Sequence, residues 1–289
     1  MTTNTLPAAA AGTWQLGSLT VNRLGFGAMR LTTTPDWQVR DREPALAVLR
    51  RAVELGVNHI DTAAFYFQGP RSANELINRA LAPYDGLVLT TKVGPGRDFE
   101  GTFHTARPDQ LRAQVEENLR QLGLDHLDVV NYRIGQSLDR GTGSLAEGFG
   151  VLAGLREAGM IRELGISNVG PEHLTEALAI APVVCVQNQY GLTTRREDDE
   201  LVRMCAERGI AFVPFFAVTS GPAEDTRVAE VARRHDVTPA QVRLAWTLHQ
   251  GPHVLAIPGT GDLAHLEQNV AAAALKLTDD DLKTLDGEG

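Results

Sequence analysis

Short apolar runs alternate along this chain with longer stretches in which apolar residues recur every three or four positions. The runs cover residues 24–28, 57–60, 87–92, 127–132, 161–166, 183–187, 210–214 and 254–257, each of strand length and bounded by turn residues. Between them the periodicity predicts helices over 43–55, 73–81, 108–122, 144–158, 171–180, 197–207 and 239–250. Several of these open on Ser or Pro and close on a glycine, at Gly56, Gly123, Gly159 and Gly209, as helix termini do. Ahead of the series, residues 14–19 and 21–24 flank a tight turn and read as a short hairpin.

Strands that alternate with helices, with no Pro- or Ser-rich linker to divide them, predict an α/β fold. The expected architecture is a (β/α)8 TIM barrel with an N-terminal β-hairpin, forming one domain over residues 14–289 after a flexible tail over 1–13. The competing architecture is a doubly wound dinucleotide-binding sheet, whose glycine fingerprint can be checked. Gly25-Phe-Gly27 and Gly94-Pro-Gly96 both lack the third glycine, and the relaxed match at Gly141 follows a polar loop. Gly259-Thr-Gly261-Asp-Leu-Ala264 does follow an apolar run and open a helix, but no further strand closes a βαβ unit. A glycine-rich loop after an eighth strand instead suits the phosphate site of a barrel.

Composition narrows the partners more than the fold. With 43% apolar and 22% charged residues in 289, the chain has an ordinary globular make-up. A net charge of −9 argues against nucleic acid and against an anionic membrane surface. Cys185 and Cys205 are too few for a disulfide framework and lack metal-ligand spacing, so reduced thiols and no metal are expected. The N-terminus lacks the basic start and apolar core of a signal peptide, and no apolar stretch approaches a membrane span. A cytoplasmic monomer or weak homo-oligomer acting on a small molecule is the expectation.

Asp61, Tyr66 and Lys92 each stand at or just past the end of an apolar run. In a barrel of parallel strands those ends converge on one face. Asp61 could serve as an N-cap for the next helix, but residues 62–69 intervene, too far for a cap. Tyr66 alone would be a rim aromatic and Lys92 a surface cation. Together they form a proton-donating unit suited to a carbonyl oxygen.

Over nearly its whole length, from Val21 to about Leu285, the chain resembles the aldo-keto reductases. The matching segments are Leu24-Gly-Phe-Gly-Ala-Met, Gly56-Val-Asn-His-Ile-Asp61-Thr-Ala-Ala-Phe-Tyr66, Thr90-Thr-Lys92, Gly165-Ile-Ser167-Asn168, Val186-Gln187-Asn-Gln-Tyr and Ile257-Pro-Gly-Thr260, with His265 to Asn269. The runs Asp128-Val-Val-Asn131-Tyr-Arg133 and Val213-Pro-Phe215-Phe216 are most similar to those of bacterial pyridoxal reductases. The resemblance implies that Tyr66 is the general acid, that Lys92 helps it release its proton, and that Asp61 orients and balances Lys92. It implies a nicotinamide cofactor held through Gly27, Ala28, Met29, Asp61, Ser167, Asn168, Gln187, Phe215, Phe216, Ala217, Ile257, Gly259, Thr260, Gly261, His265, Gln268 and Asn269.

Two departures stand out. The family's histidine at the end of the fourth strand is Arg133 here, permanently charged and unable to shuttle protons. Alternation places Val129, Asn131 and Arg133 on one face, so Arg133 either holds a substrate oxygen or pairs with an acidic loop residue such as Asp139. The Lys and Arg that hold a 2′-phosphate are replaced by Gly259 and His265, with Asp262 adjacent, so NADPH is the expected cofactor by inheritance and NADH stays open.

Residues 32–41, 94–108 and 135–143 would rim the substrate pocket, with Trp37, Phe65, Phe67, Phe99, Phe103, Asn131 and Phe216 as candidate contacts. The chain stops shortly after its last helical pattern, which predicts an open site or one completed by a partner. Pyridoxal is the leading substrate, and a natural-product carbonyl its rival, because Ala217-Val-Thr-Ser departs from the Pro-Leu-Gly-Gly expected of a pyridoxal reductase. Two other classes remain: a nicotinamide-binding regulatory subunit with little turnover, and a non-redox lyase or isomerase on the same scaffold.

Overall fold

The structure, a computed structural model, describes residues 6–98, 100–135, 138–194, 196–219 and 225–287. Strands β1 (Thr13–Leu16) and β2 (Leu19–Asn22) pair antiparallel as the expected hairpin. There follow β3 (Phe26–Gly27), β4 (His59–Asp61), β5 (Phe67–Gln68), β6 (Arg71–Ser72), β7 (Val88–Val93), β8 (Pro95–Arg97) and β9 (Phe103–Thr105). The last four are β10 (Leu127–Arg133), β11 (Ile161–Ser167), β12 (Cys185–Gln187) and β13 (Ala211–Phe212).

Seven of them form one parallel sheet in the order β13-β12-β11-β10-β7-β4-β3. The run at 254–257 closes it into a barrel, as two bridges rather than a ladder: Val254 to Phe212 on one side and Ala256 to Leu24 on the other. The helices are α1 (Arg42–Glu54), α2 (Ala73–Leu81), α3 (Pro108–Leu122), α4 (Ala146–Glu157), α5 (Pro171–Leu178), α6 (Asp199–Glu207), α7 (Thr226–His235), α8 (Pro239–His249), α9 (Leu263–Ala271) and α10 (Asp279–Asp286).

Strands buried on both faces explain the continuous apolar runs. Their outward side chains meet the helices in the larger core, through Ile60, Leu89, Val130, Leu164, Val186 and Phe212. Their inward side chains fill the barrel, where Val88, Val129, Val213 and Leu255 pack on Leu16 and Val21 of the hairpin. The hairpin thus plugs the end at which the strands begin. Polar side chains are left to the other end, where the site lies.

Several expectations need correction. Of the tail over 1–13, residues 1–5 lie outside the described residues, and Pro7–Ala11 form a 3-10 helix instead of a flexible segment. Ala8 is fully buried there and its N–H bonds the Leu55 carbonyl at 3.0 Å, because alanine methyls are small enough to seat the backbone against the core. The rim stretch 94–108 contains a hairpin, β8–β9, and another, β5–β6, connects Tyr66 to α2. Helix α7 was not anticipated from the periodicity, although Asp225 caps it and Val228, Val231 and Ala232 form its inward row. Among the described residues no helix is long and apolar enough to cross a membrane.

Candidate active site

Lys92 is 2% exposed near the end of β7. Its Nζ donates to Asp61 Oδ1 at 2.5 Å and to the Thr62 carbonyl at 3.1 Å. The other Asp61 oxygen accepts from Gln187 Nε2 at 2.8 Å. An ion pair this deep is tolerable only because each charge has further hydrogen-bond partners. Burial pulls the Lys92 pKa down, but the Asp61 carboxylate and then Tyr66 outweigh it, so the ammonium holds its proton above the ordinary lysine range.

Tyr66 faces that ammonium, with Lys92 Nζ 4.9 Å from its ring centroid. Its backbone is pinned on both sides: Tyr66 N–H donates to Ala63 and the Tyr66 carbonyl accepts from Ala73 N–H, at 3.0 and 2.9 Å. Phe65 packs edge-on to the ring at 5.1 Å. The phenol is therefore held at the end of a tight turn rather than on a free loop.

Arg133 ends β10 and carries its guanidinium 5.4 Å from the Phe215 ring centroid. Burial draws its pKa down while Tyr66 and Asp61 draw it back up. A guanidinium remains charged through such a shift. Asn131 shares that strand face but lies one step deeper, fully buried, its Oδ1 accepting from Cys185 Sγ at 3.2 Å. It does not reach the cavity where a substrate contact was expected, because alternation gives the face of a strand residue but not its depth.

Asp61, Tyr66 and Arg133 open onto a cavity of about 370 Å³, whereas Lys92 borders a second one. Of the expected residues, Gly27, Met29, Asp61, Phe65, Tyr66, Phe103, Arg133, Phe215, Phe216, Ala217, Ile257 and Gly259 line it. Ala28 does not, being fully buried in the outer core. Trp37 is 62% exposed and stacks on Arg30, which itself lines the cavity. Phe67 lies under the Arg97 guanidinium and borders a second cavity of about 580 Å³, behind Phe65 and Pro95. Phe99 lies outside the described residues.

The remaining expected positions can be tested for fit to a nicotinamide cofactor. Ser167 Oγ and Gln187 Oε1 are buried at the C-terminal strand ends with no hydrogen-bond partner among the described residues. Buried polar atoms are seldom left so. A hydroxyl donor and an amide acceptor side by side match the carbonyl and amino groups of a carboxamide. Asn168 follows in the left-handed region, at φ 62°.

Farther round, a Cβ on Gly27 would lie 2.6 Å from the Ile257 carbonyl, and one on Gly259 would lie 2.4 Å from the Gly27 carbonyl. The first and eighth strands can only meet there as glycine. Thr260 Oγ1 accepts from Asp262 N–H at 3.1 Å, and Asp262 caps α9 by accepting from His265 N–H at 2.8 Å. Gly261 is buried, His265 and Gln268 are exposed, and Asn269 is buried on α9. These residues fit a cofactor laid from Ser167 and Gln187 toward α9.

A buried polar chain behind the site was not anticipated. Thr62 Oγ1 donates to Asn74 Oδ1 at 2.8 Å, and Asn74 Nδ2 donates to Asn118 Oδ1 at 3.0 Å. Thr91 Oγ1 donates to Asn118 Oδ1 at 2.6 Å, closing the chain on the strand that carries Lys92. The available signal was an asparagine on the inward row of α3, between Val115 and Leu122. His59 is buried one layer down; burial, opposed by the Asp61 charge and helped by a lesser push from Lys92, drops its pKa to about 4.

Residues 23–288 match the model of the Aldo/keto reductase family. Pyridoxine 4-dehydrogenase of Escherichia coli (strain K12) is 44% identical over 284 residues, 96% of this chain and 98% of that protein. An uncharacterised oxidoreductase of Schizosaccharomyces pombe is 37% identical, over 98% of this chain and 91% of its own. The crystal structure of a thermostable aldo-keto reductase with the inhibitor epalrestat superposes with a TM-score of 0.80 at 29% identity, covering 96% and 99% of the two chains. An aldo/keto reductase from Klebsiella pneumoniae, crystallised with NADP and acetate, gives 0.75 at 26% identity, covering 93% and 92%.

Proposed function

The chain belongs to the aldo/keto reductase family, and from that premise we propose that it reduces an aldehyde or ketone to an alcohol with NADPH, pyridoxal to pyridoxine being the leading reaction. The likeness to Escherichia coli pyridoxine 4-dehydrogenase supports that choice of substrate.

The observation that carries this reading is the placement of one buried ammonium, Lys92, between the Asp61 carboxylate and the Tyr66 ring, two residues that line the cavity. Tyr66 gives its proton to the carbonyl oxygen. Lys92 stabilises the phenolate that remains, and Asp61 keeps Lys92 charged and aimed. Ser167, Asn168 and Gln187 would hold the nicotinamide cofactor, which would be the source of hydride for the carbonyl carbon. Phe215, on the cavity wall, would be the aromatic that meets its ring. Arg133 takes the place of a neutral histidine and holds the substrate oxygen by donor bonds, adding positive charge where negative charge develops.

The test is NADPH consumption with pyridoxal and a panel of aldehydes, in wild type and Tyr66→Phe. Loss of the general acid is expected to lower kcat by roughly 10² to 10⁴, with cofactor affinity kept. Turnover undiminished in Tyr66→Phe would overturn the assignment of the acid. Tight cofactor binding with no turnover on any carbonyl would point to a regulatory subunit instead.

A further inference from the structure

We propose that Arg40 supplies the cation for the adenosine 2′-phosphate of NADPH, an assignment that rests on the cofactor reading above. The loop after the eighth strand carries no Lys or Arg of its own in the stretch from Gly259 to Asn269. It cannot carry one at 259, where any side chain would drive into the Gly27 carbonyl. The charge has to reach the loop from another part of the fold.

Arg40 does so from the segment ahead of α1. Its Nη1 donates to the Gly261 carbonyl at 3.0 Å and its Nε to the Thr33 carbonyl at 3.2 Å. The guanidinium packs against Gly261, where a Cβ would fall 2.2 Å from Arg40 Cζ. Two of the five guanidinium N–H groups are engaged by those carbonyls, and no carboxylate among the described residues pairs with the rest. Asp262 is the nearby acid. One of its oxygens accepts from His265 N–H at 2.8 Å, and the carboxylate is held below its ordinary range chiefly by that bond and, to a lesser degree, by the charge of Arg40. A half-buried guanidinium fixed by two carbonyls beside the start of α9 has the fork geometry that grips phosphate.

The experiment measures dissociation constants by fluorescence titration, for NADPH and NADH, on wild type, Arg40→Met and Arg40→Lys. Thermal melts accompany each variant to confirm folding. Wild type is expected to favour NADPH, and Arg40→Met to weaken NADPH roughly tenfold or more, the weight of a hydrogen-bonded charge pair, with NADH little changed. Arg40→Lys keeps the charge without the fork and should recover part of the preference. In wild type, 2′,5′-ADP should compete better than 5′-AMP. Equal weakening of both dinucleotides in the variants would make Arg40 a loop anchor and overturn the proposal, as would a wild type indifferent to the 2′-phosphate. A wild type that binds neither dinucleotide would instead overturn the cofactor reading itself.

Discussion

Gln187 donates its side-chain amide to one oxygen of Asp61 at 2.8 Å while Lys92 occupies the other at 2.5 Å. A carboxylate can only accept, so Gln187 must turn its NH₂ toward Asp61 and leave its own carbonyl oxygen as an acceptor. That oxygen, Oε1, is buried and has no partner among the described residues. Asp61 therefore acts in two directions: it holds the charge of Lys92 and it sets which way the Gln187 side chain faces.

Replacement of Asp61 should fail in both roles at once. Asp61→Asn leaves an ammonium buried without its counter-charge, a change that typically costs about 3–5 kcal/mol. Urea unfolding should show that loss, and kcat should fall. Cofactor affinity should fall too, because Gln187 is free to flip. Unchanged cofactor affinity in a folded Asp61→Asn protein would show that the clamp is oriented by something else.

His59 gives the protein an acid-sensitive core. Its pKa is lowered to about 4 from 6.5, chiefly by burial, with Nε2 on Thr90 at 3.0 Å and Nδ1 lacking a partner among the described residues. Below pH 6.5 the unfolded chain protonates this histidine while the folded one does not, so stability is full above that pH and falls as pH drops toward 4. The loss attributable to His59 reaches about 3 kcal/mol. Urea midpoints followed downward from pH 7 should decline more steeply for wild type than for His59→Gln. Parallel curves would mean that the site relaxes to accept the proton.

Gly259→Ala tests the crossing of the first and eighth strands. The added methyl would sit 2.4 Å from the Gly27 carbonyl, which is backbone and cannot swing away. Overpacking of this kind costs about 1–3 kcal/mol, and it should push the loop leading to α9 outward. A lower melting temperature together with weaker cofactor binding is expected. Melting temperature and affinity both equal to wild type would show that the two strands part easily.

The contrast between what is legible in the residues and what is not follows from range. Asp61, Tyr66, Lys92 and Gln187 can be read directly, because a polar residue at the end of a buried strand has few structural reasons to be there. The inward face of β10 can be read from alternation, but the depth of Asn131 cannot, since it depends on the stagger between strands. The eighth strand is clear as an apolar run, yet it makes only two bridges. Arg40 escapes a linear reading altogether, and the Asn74–Asn118 chain shows only as an asparagine on the inward row of α3. Their partners, Gly261 in one case and Thr91 in the other, lie far along the sequence and meet them only when the barrel closes. Helix α7 was available in its capping aspartate and inward valines, but Arg and Glu dominate its outer face and mask the row.

The chain from Thr62 through Asn74 and Asn118 to Thr91 should position Lys92 rather than merely stabilise the wall. Both ends of the chain touch the lysine's surroundings: the Thr62 carbonyl accepts from Lys92 Nζ, and Thr91 precedes Lys92 on β7. Asn118→Leu keeps much of the volume but strips the acceptor from the Thr91 hydroxyl and from one Asn74 N–H. Orphaned buried donors cost about 1–3 kcal/mol each, which urea unfolding should register. The kinetic consequence separates positioning from packing. If Thr62 shifts, Lys92 loses a hydrogen-bond acceptor and sheds its proton more easily, so the alkaline limb of the kcat profile should move to lower pH. At neutral pH, kcat should fall roughly tenfold, equivalent to about 1.4 kcal/mol of barrel-held alignment, while the cofactor dissociation constant stays put. A folded Asn118→Leu protein that is less stable yet keeps the wild-type pH profile would reduce the chain to a structural brace.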